Sequence, residues 1–241
     1  MRQHYSAAGR VAVSARLFIG RLRSMGKPKV FCIGQNKTGT TSLARALREL
    51  GFMVGDQRLG ELLLHDWARR DFRRLFRYCC SAEAFQDIPF SLPFTFQALD
   101  SRFRNSRFIL TVRDNPEQWY NSLCRFLAVK FGQGRLPTII DLKNAGYVYP
   151  GYACEANRLV HTTPEEDPYN KEMLIAKYNA HNAAVLEYFR HRPGDLLVLN
   201  VSEDGAYDRL CRFLDRPVTG RTFPWENRTP DIEQKQGPHG G

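Results

Sequence analysis

The chain has 241 residues, of which 43% are hydrophobic and 25% charged, and this length lets one domain bury a full core of its own. No apolar run approaches the roughly 18 to 20 residues that cross a bilayer, which excludes a membrane-spanning protein and predicts a soluble one. The formal net charge is +10, and no acidic residue precedes Glu49, so the charge favours an anionic partner. Nucleic acid, an anionic membrane surface and a phosphorylated cofactor all satisfy it.

The six cysteines show neither a CxxC pair nor the even spacing of small secreted domains, so we interpret them as reduced thiols. The first residues lack the apolar stretch of a secretory signal, although their Arg, Ser and Ala content is faintly similar to that of a mitochondrial transit peptide. We therefore expect a cytoplasmic protein.

The amino-terminal segment, residues 1–26, is predicted to be a basic arm or helix, with a helical pattern over residues 6–23 and disorder as the alternative. Residues 27–241 are predicted to form one domain. It begins with KVFCI, residues 29–33, a short apolar run typical of a buried strand. A polar, Gly-rich segment follows, and the pattern then changes to a helix from Thr40 onward.

The rest of the chain repeats this alternation of strands and helices. Further strands are predicted at residues 84–87, 107–112 and 196–201, and helices at residues 60–78 and 93–103, from Pro116, and at residues 169–190 and 207–214. Residues 132–167 show no clear period and are predicted to be a long surface loop, of the kind that often forms a lid. The alternation indicates a single α/β domain, a three-layer sandwich around a central parallel sheet. Ligands of such sheets bind beyond the carboxyl ends of the strands, so the residues after Ile33, Asp87 and Val112 should converge on one site.

The segment GQNKTGTT, residues 34–41, lies between a predicted strand and a predicted helix. Backbone N–H groups at such a turn can wrap a phosphate, and the helix dipole favours an anion. The segment resembles a Walker A loop with one displacement. The pattern GxxxxGK[ST] places Lys after the second Gly, where this chain has Thr40, whereas its Lys37 lies inside the loop.

Three segments carry a resemblance to one family. KTGTTSL, residues 37–43, resembles the 5'-phosphosulfate loop of the sulfotransferases that use 3'-phosphoadenosine 5'-phosphosulfate (PAPS). RFILTVRDNPEQWYNSL, residues 107–123, resembles their 3'-phosphate motif, and YNAHNAAVLEYFRHRPGDLLVLNV, residues 178–201, is similar to the late helix and strand of a mainly bacterial branch. The resemblance spans residues 29–227 and implies a P-loop fold. Trp225, in a late motif of the family, is expected to pack the chain end against the core.

The resemblance implies PAPS as the donor, held at two anion sites. The residues expected to bind its 5'-phosphosulfate are Gln35, Asn36, Lys37, Thr38, Gly39, Thr40 and Thr41. Lys37 would also neutralise charge on the bridging oxygen as the S–O bond breaks. Arg113 and Ser122 would bind the 3'-phosphate. The family's spacing from this Arg to this Ser is usually one residue shorter, so Asn115 looks inserted and Asn121 is the alternative to Ser122.

The transfer needs a base for the acceptor's proton, and in the cytosolic enzymes of the family a His before an aliphatic residue and Pro has this role. Asp87, in the segment QDIP, occupies that position and is the predicted catalytic base. The alternative is that Asp87 caps the turn before Pro89 or orients a neighbour. His181 lies on an otherwise apolar helix face, which favours a hydrogen-bonded core histidine, with a place at the nucleotide or acceptor pocket as the alternative. The histidines show no metal-ligand spacing, and no metal is expected.

The predicted function is therefore direct in-line transfer of a sulfuryl group from PAPS to a hydroxyl or amine. Small molecules, lipids and glycans are all candidate acceptors, with specificity expected in residues 55–80 and 132–167. A P-loop kinase for a small molecule or nucleotide is the first alternative, and magnesium dependence would distinguish it. A non-catalytic basic module for nucleic acid or membrane is the second. The main interpretation expects no nucleic-acid partner and a weak contact of the basic arm with an anionic membrane.

Overall fold

The computed structural model describes the backbone of residues 7–224 and the side chains from residue 13 onward. Within that range the strands are β1 (Val30–Cys32), β2 (Ala84–Phe85), β3 (Arg107–Thr111) and β4 (Leu196–Leu199). The α-helices are α1 (Ala7–Ser24), α2 (Thr40–Glu49), α3 (Gln57–Glu61), α4 (Leu64–Ala68), α5 (Arg73–Cys79), α6 (Thr95–Arg102), α7 (Pro116–Phe131), α8 (Ile139–Asn144), α9 (Tyr152–Ala156), α10 (Lys171–Phe189) and α11 (Ala206–Phe213). A π-helix, Asn157–His161, follows α9 directly.

The four strands form one parallel sheet in the order β2-β1-β3-β4. Each predicted strand is present and is one or two residues shorter than expected. All three residues of β1 and four of the five residues of β3 are buried, so successive side chains are buried on opposite faces. Burial on both faces is typical of a parallel sheet covered by helices. The predicted α/β fold with a central parallel sheet is confirmed.

Helices cover both faces of the sheet and complete the three layers. On one face Val30 and Ile109 pack with apolar residues of α2 and α11. On the other face Phe31 and Phe108 pack with apolar residues of α5, α6 and α10. The rings of Phe31 and Phe108 lie 5.6 Å apart, in the range where aromatic pairs are favourable.

The helix predicted at residues 60–78 is wrong, because this stretch contains α3, α4 and α5 as separate short helices. Asp56 caps α3 by accepting hydrogen bonds from the backbone N–H groups of the next turn, so the first helix starts earlier than predicted. Arg70 has a φ of 58°, a left-handed conformation that a continuous helix cannot contain. Asp71 then accepts from the backbone N–H of Arg73, the first residue of α5.

The prediction of a structureless loop at residues 132–167 is also wrong. This stretch contains α8, α9 and the π-helix, and its Val148 and Tyr152 are buried in a cluster with Leu64 and Trp67 of α4. Helix α8 starts with a capping box, in which the side chains of Thr138 and Asp141 each accept from the other's backbone N–H. Helices of five or six residues are too short to show a hydrophobic period, and aromatic packing between them leaves no regular spacing.

Helix α1, within the predicted arm at residues 1–26, lies against the rest of the chain. A Cβ built on Gly20 would lie 2.1 Å from the backbone oxygen of Ser81, so the helix backbone itself is pressed onto that turn. One turn later Ser24 Oγ donates to the carbonyl of Cys80 at 2.8 Å. Among the described residues, no helix is long and apolar enough to span a bilayer. Trp225, predicted to pack against the core, lies outside the described residues.

Candidate active site

A cavity of about 750 Å³ lies at the carboxyl ends of β1 and β2. Its lining comes from the loop after β1, from Asp87 after β2, and from α3, α7, α10 and residues 142–161. The loops after β1 and β2 meet here, because Asp87 bonds to Thr40. The loop after β3 is joined to them through Arg113, which bonds to the backbone of Lys37 but does not line the cavity. The two segments in which specificity was predicted both contribute to the lining.

The loop after β1, residues 34–39, is held close to β3. A Cβ on Gly34 would lie 2.2 Å from Thr111 Oγ1 and 2.4 Å from its carbonyl oxygen, so only glycine fits this position. The buried Thr38 hydroxyl donates to the carbonyl of Gln35 at 2.5 Å and lies 2.6 Å from Thr111 Oγ1. Thr38 therefore pins the loop to β3 and does not line the cavity.

The same loop turns its backbone into the amino terminus of α2. Lys37 and Gly39 have φ values of 74° and 94°, and Gly39 caps α2 without any side-chain hydrogen bond. A Cβ on Gly39 would lie 2.4 Å from Val201 Cγ2. Left-handed residues of this kind point successive N–H groups inward, which makes a concavity for an anion at the positive end of the helix. Thr40 and Thr41 of the first turn line the cavity.

Lys37 points its ammonium group into the cavity, with Nζ 3.1 Å from the centroid of the Phe126 ring. Burial lowers the pKa of Lys37 to about 8, while the nearby carboxylates of Asp87 and Glu61 favour its charged form. The ammonium is charged at neutral pH and is weakly hydrated. Such a group interacts strongly with an anion that enters the cavity.

Asp87 follows β2 in a left-handed conformation, with a φ of 59°, and its carboxylate is 4% exposed. Oδ1 accepts a hydrogen bond from Thr40 Oγ1 at 2.8 Å. Burial raises the pKa of this carboxyl group, and the charge of Lys37 and the Thr40 bond both oppose the rise. The turn before Pro89 is closed by the Asp87 carbonyl, which accepts from the backbone N–H of Ser91, so the side chain is not needed as its cap. The carboxylate faces the same cavity as Lys37.

Arg113, directly after β3, braces the loop from another direction. Its Nε donates to the carbonyl of Lys37 at 2.7 Å, and its backbone N–H donates to the hydroxyl of Tyr178 at 3.1 Å. Asn115 is the N-cap of α7, because its side chain accepts from the backbone N–H of Gln118 at 2.8 Å. The residue that looked inserted in the sequence therefore begins the helix.

The two candidates for the 3'-phosphate lie on different sides of α7. Ser122 is half-buried and comes three residues after the buried Trp119, whereas Asn121 is exposed. Neither of them lines the cavity, and Arg113 lies outside its lining as well. The cavity therefore includes the predicted 5' side of the donor site and excludes the predicted 3' side.

Asn36 and Gln35 line the cavity, and Asn36 links the loop to two other elements. Its side-chain oxygen accepts from Ser91 Oγ at 2.9 Å, and its carbonyl accepts from Trp119 Nε1 at 3.0 Å. Trp119 stacks on Tyr178 with ring centroids 4.6 Å apart. Helices α7 and α10 thereby fix the loop, through one indole and one phenol, against the end of the sheet.

Residues 29–232 match the model of a protein family described as a sulfotransferase domain, and the match covers both phosphate motifs. The chain belongs to this sulfotransferase family. No curated protein matches the chain. Within residues 7–224, no group of three or more His, Cys, Asp or Glu side chains could hold a metal ion.

His181 of the sulfotransferase combines the two roles that the sequence left open. It is 4% exposed, and its Nε2 donates to the carbonyl of Ile33 at 2.8 Å. Burial lowers its pKa, so the ring is neutral at pH 7, and Nδ1 has no hydrogen-bond partner among the described residues. The ring also lines the cavity, beside Phe96, at a centroid distance of 6.2 Å. It supports the carboxyl end of β1 and contributes a buried nitrogen to the cavity wall.

The sequence analysis missed Glu61 and Tyr147, which meet in the cavity. Glu61 Oε1 accepts from Gln57 Nε2 and from the hydroxyl of Tyr147, both at 3.0 Å. A signal for Glu61 was present, because Asp56 is a good N-cap and would place Gln57 and Glu61 four residues apart on one face of a helix. Tyr147 had no local signal, since it lies 86 positions from Glu61.

Proposed function

We propose that this sulfotransferase moves a sulfuryl group from PAPS to a hydroxyl or amine of its acceptor by direct in-line transfer. The observation that carries the proposal is the meeting of Lys37 and Asp87 in one cavity at the amino terminus of α2. A cation and a buried carboxylate at a phosphate loop supply the two functions that sulfuryl transfer requires. These are neutralisation of the leaving phosphate and removal of a proton from the acceptor.

The residues present fit an adenosine donor that carries phosphate groups at both ends. The loop at residues 34–39 packs closely against Thr111 and Val201 at its two glycines, and its left-handed residues Lys37 and Gly39 form a concavity that suits a phosphosulfate. Among the described residues, the single hydrogen bond of the Arg113 guanidinium uses Nε, which leaves its two terminal nitrogens for a phosphate. Ser122, on the half-buried side of α7, is the better partner for it than the exposed Asn121.

The donor, when bound, supplies a sulfuryl group on a phosphate leaving group. The acceptor oxygen or nitrogen forms a bond to sulfur while the bond between sulfur and the bridging oxygen breaks. Lys37 neutralises the charge that builds on that oxygen, and the first-turn amides of α2 hold the adjacent phosphate. Asp87 takes the acceptor's proton, and Thr40 holds its carboxylate in place. The products are a sulfated acceptor and adenosine 3',5'-bisphosphate.

Calorimetry with adenosine 3',5'-bisphosphate tests the proposal directly. We expect tight binding, at one site per chain, in the presence of a metal chelator. Incubation with labelled PAPS and a panel of phenols, alcohols, amines, sugars and lipids should then transfer the label. Stronger binding of ATP, and only with magnesium, would replace sulfuryl transfer by the kinase alternative.

The acceptor side of the cavity favours a molecule with a substantial apolar part. Leu123, Phe126, Leu127 and Phe131 of α7 line it, opposite Leu142 and Tyr152. Small molecules, lipids and the apolar aglycones of glycans satisfy this lining. We retain the cytoplasmic location predicted from the sequence, which the six unpaired cysteines support, and we expect no nucleic-acid partner.

We further propose that α1 contacts an anionic membrane surface. Gly20 and Ser24 face the protein, whereas Phe18, Leu22 and Met25, spaced three or four residues apart, are 63%, 59% and 78% exposed. The described arginines of the helix are Arg16, which pairs with Asp56, Arg21, which donates to the carbonyl of Arg77, and Arg23; no acidic residue occurs in the helix. An exposed apolar stripe on a basic helix is typical of helices that lie in the headgroup region of anionic membranes.

Sedimentation with vesicles tests this contact. Binding is expected to phosphatidylcholine vesicles that contain about one third phosphatidylserine, to weaken with salt, and to fall at least tenfold in the variant Phe18→Ser/Leu22→Ser, because each side chain contributes apolar burial. Leu186→Ser, on the exposed side of α10, is the matched control and should bind normally. A protein that does not bind the vesicles and dimerises through this stripe would contradict the membrane proposal.

A further inference from the structure

Glu61 is a buried carboxylate in the acceptor side of the cavity to which the proposed transfer assigns no role. It ends α3, is 4% exposed, and lines the cavity together with Lys37 and Asp87. A carboxylate that is removed from water is costly unless it is paired. The groups around the Glu61 carboxylate therefore indicate which kind of ligand it binds.

The protein satisfies only one of the two oxygens of this carboxylate. Gln57 Nε2 and the Tyr147 hydroxyl both donate to Oε1, and no described residue donates to Oε2. None of the ion pairs between described residues includes Glu61. Arg58, its neighbour in α3, donates instead to the carbonyl of Val148 at 2.9 Å. One carboxylate oxygen in the cavity thus still has its capacity to accept a hydrogen bond.

The charged groups near Glu61 do not compensate for its burial. Burial, with a smaller contribution from the charge of Asp87, raises the pKa of Glu61 to about 7, against the opposing hydrogen bonds of Gln57 and Tyr147 and the charge of Arg58. The charge of Glu61 favours the charged form of Lys37, but the proposed transfer uses Lys37 for the donor phosphosulfate, and Lys130 lies over the ring of Tyr147 at 5.7 Å. At neutral pH this carboxylate is about half ionised. A ligand that donates a hydrogen bond to it stabilises the ionised form.

The walls next to Glu61 are aromatic. Tyr147 stands edge-on to Phe131 at 5.9 Å, and its ring lies 5.9 Å from that of Tyr152. All three rings line the cavity. The part of a ligand that reaches Glu61 is therefore surrounded by apolar surface on one side and meets one strong acceptor on the other.

We propose that Glu61 binds a hydrogen-bond donor, a second hydroxyl or an ammonium group, on an otherwise apolar acceptor. That the bound molecule is the sulfuryl acceptor rests on the proposed function, but the binding site itself does not depend on it. Oε2 of Glu61 accepts a hydrogen bond from the hydroxyl or ammonium group of the ligand. Gln57 and Tyr147 fix the carboxylate, and the aromatic walls contact the apolar part of the ligand. Glu61 then decides which molecules place a nucleophile at Asp87.

A second tyrosine–glutamate pair shows what the same contact does outside the cavity. Tyr149 donates to Glu155 Oε2 at 2.6 Å, and His65 lies 2.7 Å from the same oxygen. Neither Glu155 nor Tyr149 lines the cavity. His65 joins α4 to this pair, and both Tyr149 and Glu155 are partly exposed, so Glu155→Gln is a matched control for Glu61→Gln.

Three probes that differ at one end test the proposal: octan-1-ol, octane-1,8-diol and 8-aminooctan-1-ol. Calorimetry on the full chain without nucleotide should show the diol and the amino alcohol binding at least about tenfold more tightly than octan-1-ol, since a hydrogen bond to a charged group contributes at least that much. In Glu61→Gln, most of the preference for the amino alcohol over octan-1-ol should be lost, and the preference for the diol over octan-1-ol should fall about threefold. Glu155→Gln should match the unaltered protein. Preference for only one of the two donors would identify the group that Glu61 binds.

Proton release gives a readout that a structural role of Glu61 would not change. At pH 7 the amino alcohol should displace a fraction of a proton from Glu61, measured as a difference in heat between two buffers of unequal ionisation enthalpy. The neutral octan-1-ol should displace none, and Glu61→Gln should abolish the release. Equal affinity for all three probes, or a preference that survives Glu61→Gln, would overturn the proposal. Failure of adenosine 3',5'-bisphosphate to bind would instead remove the sulfuryl-transfer proposal and leave this site intact.

Discussion

The cavity has two sides that are built in different ways. The part of the proposed donor side that lines the cavity comes from one contiguous segment, residues 34–41, at the junction of β1 and α2. The acceptor side is assembled from α3, α7, α10 and residues 142–161, which are far apart in the chain. The donor side presents backbone amides and Lys37 to an anion. The acceptor side presents aromatic rings and the carboxylate of Glu61. The proposed site for the 5' side of the donor therefore depends on a local motif, whereas the proposed acceptor site depends on long-range packing.

Asp87 lies where the two sides meet, and its removal should have the largest effect. Asp87→Asn keeps the shape and the bond from Thr40 but cannot take a proton, so we expect transfer to fall by roughly two to four orders of magnitude. The affinity for adenosine 3',5'-bisphosphate should stay near normal. Thr40→Val, which keeps the Asp87 carboxylate but removes the hydroxyl that donates to it, should reduce transfer less. A turnover of Asp87→Asn close to that of the unaltered protein would remove Asp87 from the chemistry and make His181 the next candidate.

Lys37 and Arg113 should fail in different ways if the donor side is divided as proposed. Lys37→Ala removes the cation near the breaking bond and should lower kcat by roughly two to three orders of magnitude. Arg113→Ala removes the fork for the remote phosphate and should mainly raise the Kd for adenosine 3',5'-bisphosphate, by roughly 10- to 100-fold. Single-turnover kinetics and calorimetry separate the two effects. Wild-type turnover and affinity in both variants would show that the donor is bound elsewhere.

The pH dependence of kcat/KM for PAPS tests the charges of Lys37 and Asp87. Lys37, with a pKa lowered to about 8 by burial, is charged below that pH and loses its charge above it, so the value should fall above about pH 8. The raised pKa of Asp87 means that the carboxylate ionises above the usual range, which gives an acidic limb. Lys37→Arg should abolish the fall at high pH, because arginine stays charged. An unchanged alkaline limb in this variant would assign it to another group.

The smallest expected effect concerns stability on the acceptor side. The pKa of Glu61 is raised from 4.5 to about 7, so the folded state keeps a proton that the unfolded chain loses. The stability that the protonated carboxyl group contributes is present below about pH 4.5 and is lost as the pH rises to about 7. Glu61→Gln keeps an oxygen for Gln57 and Tyr147 and avoids the buried charge. It should raise Tm by several °C at pH 8, corresponding to about 3 kcal/mol at most, and change it little at pH 5. Equal shifts at both pH values would contradict the burial of a charged Glu61.

Much of the fold could be predicted because its determinants are local. The runs at residues 29–33 and 107–112 are short, apolar and followed by turn residues, so each identified a buried strand, and their alternation with helices indicated the parallel sheet. The turn of the predicted phosphate loop also depends on residues that are adjacent in the chain. Gly34 and Gly39 are required where a side chain would strike Thr111 and Val201, and Lys37 stands between them in the sequence as in space.

The sequence by itself determined the individual strands, the predicted loop after β1 and the family resemblance, since each depends on residues that are adjacent in the chain. The order of the strands in the sheet comes from pairing between distant segments. Only the tertiary structure decided the acceptor side. Helices of five or six residues have no detectable period, and the pairing of Glu61 with Tyr147, 86 positions apart, follows from how α3 packs against residues 142–161. The outer pair of Glu155 and Tyr149 has the same residue types but lies outside the cavity. Burial, which no local pattern encodes, is what separates a binding carboxylate from a surface one.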